Sequence, residues 1–367
     1  MNSNKSPWIL SSSFDCCFIL APAILTSLFA VLYSGYLQTL QEMPPWLWLV
    51  LIVGIDAGHV YSSLFRTYFD KQAFDNQSPL LTLTPLMAWF CGSLLYSINS
   101  LWFWRVLAYL AVFHFIRQQY GFMMIYARHE INHPKAYRLI NKVMLYSATL
   151  YPLIVWHTSD RSFNWIVDDD FFVINNPVVK VIAGWVFLGL LCCYVVKEVR
   201  IWHQFKHVNL PRNMLIIGTA LSWYIGIVAY DNDLIFTATN VIAHGIPYYA
   251  LIWVYGFNLN RMQRNAYTFS WLSKLFSGYT VPLYVGLLFA LAYVEEGFWD
   301  GFIWRERPNL FSFFNNLPGI NSTQTLTWLI PLLTVPQATH YVLDAFIWRI
   351  HAKNSEWKRI LFYADYR

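Results

Sequence analysis

Apolar spans long enough to cross a lipid bilayer recur along the whole of this 367-residue sequence. A membrane-spanning helix needs about 20 mostly apolar residues, and the chain contains about ten such spans with little sequence between them. Only 12% of the residues are charged, about half the share found in a soluble domain. The sequence therefore predicts an all-α, polytopic membrane protein, with one helix bundle formed by residues 1–367. The spans are expected at residues 14–36, 45–65, 79–97, 100–122, 138–157, 177–198, 212–230, 232–255, 276–294 and 324–348.

Positive charge is distributed unevenly between the predicted loops. With ten spans and a cytoplasmic amino terminus, the inner segments hold 20 of the 25 Lys and Arg residues, and loops rich in these residues stay in the cytoplasm. One outer loop is instead acidic, with three consecutive aspartates at positions 168–170. We therefore expect both termini in the cytoplasm and a multi-pass protein of the bacterial inner membrane. The third span contains Pro85 and could instead be a re-entrant segment.

Composition also argues against two kinds of binding site. The net charge of +5 is spread over many short loops rather than one patch, so we expect no nucleic-acid partner. The five cysteines all lie in apolar spans, and their number and spacing do not indicate a disulfide framework or a thiolate metal site. They are interpreted as small hydrophobic residues.

Four of the ten histidines lie deep within predicted spans, one in each of four helices. They are 12 to 16 residues from the start of their spans, which places all four about 18 to 24 Å from the outer boundary. One such histidine alone would more often be an interhelical hydrogen-bond group. Four at one depth instead predict a metal site. Its ligands would be His59, His114, His244 and His340.

Each of these histidines has a polar neighbour three or four residues away, on the same helical face. A metal-bound imidazole usually donates its second ring N–H to a carboxylate, amide or carbonyl. The neighbours are therefore predicted as further ligands or as catalytic groups that orient the histidines. They are Asp56, Gln118, Tyr248 and Asp344. Three arginines at predicted inner helix ends either lie at the interface or orient an anionic substrate headgroup, namely Arg66, Arg117 and Arg349.

Neutral imidazoles with one or two carboxylates suit iron, zinc or copper better than calcium or magnesium. The leading hypothesis is a non-haem iron oxygenase, hydroxylase or desaturase that acts on a lipid or another apolar small molecule, with a possible electron-donor protein. One alternative is a zinc-dependent lipid hydrolase, and another is a haem protein. A non-enzymatic alternative is a metal or proton transporter.

Family resemblance is limited to a loose analogy. The clustered histidine boxes of membrane desaturases and alkane hydroxylases are absent, since only His129 with His133 and His203 with His207 have the HxxxH spacing. The chain is loosely similar to bacterial Brp/Blh carotene-cleaving dioxygenases, which also collect single intramembrane histidines around iron. The segments DAGHVYSS, FHFIRQQYG, NVIAHGIPYY and THYVLDAFIWR do not match their motifs, so the hypothesis depends on the histidines.

Overall fold

The structure is a computed structural model that describes residues 6–40, 42–130, 133–161, 163–263, 266–349 and 356–362. It is 77% helical, and the described residues form no strand beyond one isolated bridge between Asp70 and Tyr267. The predicted all-α class is confirmed. The main helices are α1 (Ser12–Leu32), α2 (Pro45–Arg66), α3 (Lys71–Ile98), α4 (Ser100–Tyr126), α5 (Lys135–His157), α6 (Pro177–Phe205), α7 (Leu210–Ala229), α8 (Asp233–Met262), α9 (Val281–Trp304), α10 (Thr323–Leu333), α11 (Val335–Ile347) and α12 (Glu356–Leu361).

Seven helices in the described part of the chain are long and apolar enough to cross a bilayer, namely α1, α2, α3, α5, α6, α7 and α9. The chain is therefore a multi-pass membrane protein. The helices α4 and α8, of 27 and 30 residues, also exceed the length that a crossing needs. The total of ten crossings and the cytoplasmic termini stay predictions.

The uncertain third span is a long helix rather than a short re-entrant one. Helix α3 has 28 residues and is among the candidate spans. Its only backbone irregularity is at Gln77, where φ is −130° and ψ is 16°. Pro79 follows two residues later, and a proline removes a helical hydrogen bond and clashes with the preceding turn. The kink therefore lies near the start of α3, and the backbone stays helical from there through Pro85 to Ile98.

The described chain divides into two compact units, which share α4 and α8. The first unit contains residues 1–42 and 115–247. In it α5 packs against α6 and α7, and α7 packs against α1. A Cβ atom at Gly218 would lie 3.1 Å from that of Ala23, so α7 approaches α1 closely through a small-residue contact of the kind common in membranes.

The second unit contains residues 43–114 and 248–366. In it α9 packs against α2, and α3 packs against α10 and α11. The middle of α2 is π-helical from Leu49 to Ala57, and the hydroxyl of Tyr249 on α8 donates to the carbonyl of Gly54 at 2.7 Å. A Cβ atom at Gly58 would lie 2.0 Å from that hydroxyl. Glycine is therefore required here for α8 to approach the turn that precedes His59.

Candidate metal centre

The four histidines that the sequence places at one depth form one buried group. Each offers one ring nitrogen, and these four atoms lie within 4.8 Å of one another. No side chain of the four is more than 2% exposed. Two nitrogens on opposite sides of one ion are about 4.1 Å apart at a typical metal–nitrogen distance of ~2.05 Å. The spacing of the four nitrogens is thus slightly wider than in a metal coordination sphere, and the group would contract slightly around an ion.

The tightest pair in the group is formed by His114 and His340. Their Nε2 atoms are 3.1 Å apart, and two ligands of one ion are about 2.9 to 3.3 Å apart at octahedral to tetrahedral angles. A hydrogen bond from a protonated ring nitrogen to an unprotonated one spans the same distance of about 3 Å. The ring of His59 distinguishes a pair of metal ligands from a simple hydrogen-bonded pair. Its centroid is only 5.0 Å from that of the His340 ring. Three imidazoles that converge on one point suit an ion better than one shared proton.

Asp344 lies behind one of these rings, on a different helix. Its Oδ1 accepts hydrogen bonds from the hydroxyl of Tyr248 at 2.6 Å and from the indole of Trp348 at 2.8 Å. Its Oδ2 is then directed towards Nδ1 of His114, 3.6 Å away. A carboxylate behind the non-coordinating nitrogen fixes the tautomer of a metal-bound imidazole. Helical spacing predicted Asp344 as the partner of His340, but the structure pairs it with His114.

Asp56 plays a similar part behind His59, on the same helix. Its Oδ1 is 3.8 Å from Nδ1 of His59, and its side chain is 38% exposed although the histidine is buried. Asp56 therefore borders open space next to the group. Two nearby serine hydroxyls are not directed at this open space. Ser62 donates to the carbonyl of His59, and Ser63 donates to the carbonyl of Val60.

His244 is held by residues of α4 that lie in the first unit. The ring of Phe115 stacks on the imidazole, with centroids 3.6 Å apart and planes 10° apart. The amide of Gln118 donates to the carbonyl of His244 at 2.8 Å, and Gln119 donates to that of Ala243 at 3.2 Å. Gln118 was predicted as a partner of His114, but it fixes the backbone of His244 instead. Two adjacent amides therefore lock the position of α8 at this ligand.

The three arginines predicted at helix ends have different environments. Arg66 is only 2% exposed, donates to the carbonyl of Ile347 at 3.0 Å and lies over the ring of Trp348. Its side chain is thus buried inside the second unit, and its interfacial or headgroup role stays a prediction. Arg117 is half-buried and donates to the hydroxyl of Tyr146 at 3.0 Å. Arg349 is exposed and is the candidate best placed to meet a headgroup.

The remaining histidines that the structure describes lie outside the group. Helix α4 ends at Tyr126, before His129, so this histidine and His133 do not share a helix face. Helix α6 likewise ends at Phe205, between His203 and His207. His157 contacts the carbonyl of Leu153 at 2.7 Å in the same helix. His351 lies outside the described residues. All five cysteines are free.

Sequence reasoning missed several neighbours of the histidines. The ring of Tyr341 is 5.2 Å from that of His114, and Trp348 holds Asp344 as described above. Phe115 stacks on His244. Two of these aromatics directly follow a predicted ligand in the sequence, yet aromatic residues are so frequent in this chain that adjacency carries no signal.

Comparisons with known proteins do not identify this arrangement. Searches against protein-family models, curated proteins and solved structures each found no match. The function of this protein must therefore be inferred from the geometry of the site itself.

Proposed function

We propose that this protein is a metal-dependent integral membrane enzyme whose metal is held by His59, His114, His244 and His340. The supporting observation is that four ring nitrogens from four helical segments lie within 4.8 Å of one another. Buried polar groups normally satisfy one another or bind a ligand. His340 does neither completely, since its Nδ1 has no hydrogen-bond partner among the described residues.

The proposed reaction is an oxidation of a lipid or another apolar substrate with non-haem iron. Iron held by imidazoles and carboxylate supplies dioxygen chemistry at such a site. In this protein, Asp344 lies 3.6 Å from Nδ1 of His114 and would hold its tautomer once an ion is bound. Asp56 is the carboxylate whose side chain is partly exposed. Tyr248 orients Asp344 because its hydroxyl is already committed to that carboxylate. Electrons would come from a donor protein.

Haem fits this geometry poorly. Two axial histidines lie on opposite faces of a porphyrin, with nitrogens about 4 Å apart at normal bond lengths. The Nε2 atoms of His114 and His340 are 3.1 Å apart, and their ring centroids are 4.5 Å apart. No macrocycle can stand between rings at that distance.

A zinc-dependent hydrolase is the second candidate, supported by Asp56. A carboxylate beside zinc can act as the general base for a bound water, and the side chain of Asp56 is 38% exposed and next to His59. Conversion of Asp56 to Asn would remove the base and stop hydrolysis. The metal would remain bound, because an amide oxygen occupies the same position.

The test is elemental analysis and an optical spectrum of purified protein, beside His59→Ala, His114→Ala, His244→Ala and His340→Ala. We expect stoichiometric iron without a Soret band, lost in each folded variant. The control is His203→Ala, since His203 is exposed and lies outside the group. Zinc in place of iron would support the hydrolase. Retention of metal in all four variants, or folded protein that takes up no metal, would refute the proposal.

A further inference from the structure

An apolar cavity of about 600 Å³ lies in the second unit, on the same part of α4 that leads to His114. It is bounded by one face of α3, by the first half of α4 and by α11 with the preceding Thr334. Pockets that enclose a small ligand have volumes of about 300 to 1,000 Å³. The cavity therefore has room for one chain-like molecule.

The lining residues form a gradient from exposed to buried. Leu83 and Met87 on α3 are 58% and 52% exposed, and Val106 on α4 is 38% exposed. At the other side, Leu107 and Thr334 are only 6% and 4% exposed. The cavity thus opens on the outer surface of α3 and α4 and ends in the interior.

The lining offers almost no hydrogen-bonding capacity. Its two threonine hydroxyls are already used, since Thr84 donates to the carbonyl of Leu80 and Thr334 to that of Pro331. Because α3 is a candidate membrane span, its exposed apolar side chains would face the lipid tails of a bilayer. A hydrocarbon chain can enter such a mouth without losing hydrogen bonds to water.

The α4 side of the cavity leads towards a proposed ligand. Phe103, Leu107 and Leu110 line the cavity and precede His114 by 11, 7 and 4 residues, so all four lie on one face of the helix. Leu110 is one turn from His114, about 6 Å along the axis. On α11, the stripe of Thr334, Ala338 and Val342 passes beside Tyr341, whose ring lies 5.2 Å from His114.

We propose that this cavity binds one acyl chain of a membrane lipid, which enters sideways between α3 and α4 and points towards His114. The role of this chain as substrate rests on the proposed function, but its binding does not. The inner end of the chain would meet Tyr341, which makes this ring the boundary between the chain and the histidines.

Photo-crosslinking tests the proposal. The full chain is placed in phosphatidylcholine nanodiscs, and some of the phosphatidylcholine carries a diazirine in one acyl tail. We expect label on Leu107 and Thr334, which bulk lipid cannot touch because they are buried. Label confined to exposed residues such as Leu86 or Leu94, with none on the two buried residues, would overturn the proposal.

A matched pair of variants separates the cavity from the general lipid surface. Leu83 and Leu86 are similarly exposed, at 58% and 55%, but only Leu83 lines the cavity. Leu83→Trp should close the mouth and abolish inner label, whereas Leu86→Trp should leave it unchanged. Equal inner labelling in both variants would contradict a lateral entrance.

The outcome is independent of the metal. Labelling is measured on the same samples as metal content, so inner label in metal-free protein supports the acyl-chain site even if the metal proposal fails. Conversely, bound metal without inner label would refute this site and leave the metal centre standing.

Discussion

Two buried polar clusters in this apolar protein are built on different principles. In the first unit, Arg212 donates to Glu130 and Glu198, and Lys197 donates to Glu198. We call these four residues the ion network. Asn209 also donates to Glu130 at 2.7 Å. Each charge therefore faces an opposite charge, and amide groups supply further hydrogen bonds.

The histidine group has the opposite character. Its four ring nitrogens lie within 4.8 Å of one another, and its two carboxylates lie behind the rings at 3.6 and 3.8 Å. A satisfied network stabilises the fold by itself, whereas converging imidazole nitrogens can hold a metal ion. The ion network therefore has the character of a structural cluster, and the histidine group that of a candidate metal site, although both are buried.

The largest effect is expected from removal of the central arginine in the ion network. Arg212→Met leaves Glu130 without the arginine it pairs with and Glu198 with only Lys197. Breaking a buried pair in this way costs about 3 to 5 kcal/mol. The free energy of unfolding in detergent measures the loss. The metal content of the folded fraction should not change. Loss of metal without loss of stability would reverse the assigned roles of the two clusters.

Removal of the metal should have the next largest effect. A ligand present at 100 times its dissociation constant stabilises the folded state by about 2.7 kcal/mol. We expect a chelator to lower the Tm of the wild-type protein and of Arg212→Met, but not that of His340→Ala. A chelator shift of wild-type size in His340→Ala would place the stabilising metal elsewhere.

The contact between α2 and α8 provides a third test. We expect overpacking there to lower the free energy of unfolding by about 1 to 3 kcal/mol. Gly58→Ala would place a Cβ atom 2.0 Å from the hydroxyl oxygen of Tyr249. Removing that oxygen in Tyr249→Phe should relieve part of the clash, so the double variant should be more stable than the sum of the single effects. Thermal unfolding of the four proteins measures the coupling. Gly35→Ala is the control, because no other atom lies within 4 Å of its added Cβ.

A fourth change sharpens the role of the carboxylate behind His114. Asp344→Asn can still accept from Tyr248 and Trp348, but an amide N–H would then face Nδ1 of His114. Loss of such a partner typically lowers metal affinity about 10- to 100-fold, and competition with a chromophoric chelator measures the change. The exposed Asp75→Asn provides the matched control. Unchanged affinity in Asp344→Asn would remove this carboxylate from the centre.

The smallest effect concerns pH and the edge of the ion network. His133 lies in the loop after α4, 3.8 Å from Glu130, and burial lowers the pKa of its imidazole below the usual 6.5. The unfolded chain therefore takes up a proton at His133 before the folded chain does, so stability falls as the pH drops below about 6.5. The slope of stability against pH should be shallower in His133→Gln. Identical slopes would show that this histidine does not contribute.

Much of the centre was predictable because membrane depth can be counted along a sequence. Four histidines at similar distances from their span starts indicated a shared level, and the structure brings their nitrogens together. Their partners were less predictable. Helical periodicity shows which residues share a face of one helix, so it assigned Asp344 to His340 and Gln118 to His114. In the structure, Asp344 instead lies next to His114 on another helix. Gln118 donates to the backbone carbonyl of His244, also on another helix.

The ion network shows the same limit more strongly. No role was predicted for Glu130 or Glu198 from the sequence, and Arg212 was counted only among the positive charges of the inner segments. The three residues are 68 and 14 positions apart. Nothing in their local patterns indicates that they meet. Arg66 was similarly placed at an interface by its position near a helix end, whereas aromatic side chains from α8 and the residue after α11 enclose it.

By itself, the sequence determined that this is a multi-pass helical membrane protein and which four histidines could share a level. These properties follow from apolar length and helical rise, which are local. Tertiary structure decided which carboxylate stands behind which imidazole, which polar cluster is already satisfied, and where an apolar cavity opens between α3, α4 and α11. Those properties depend on which helix faces which, and packing between segments distant in the sequence sets that arrangement.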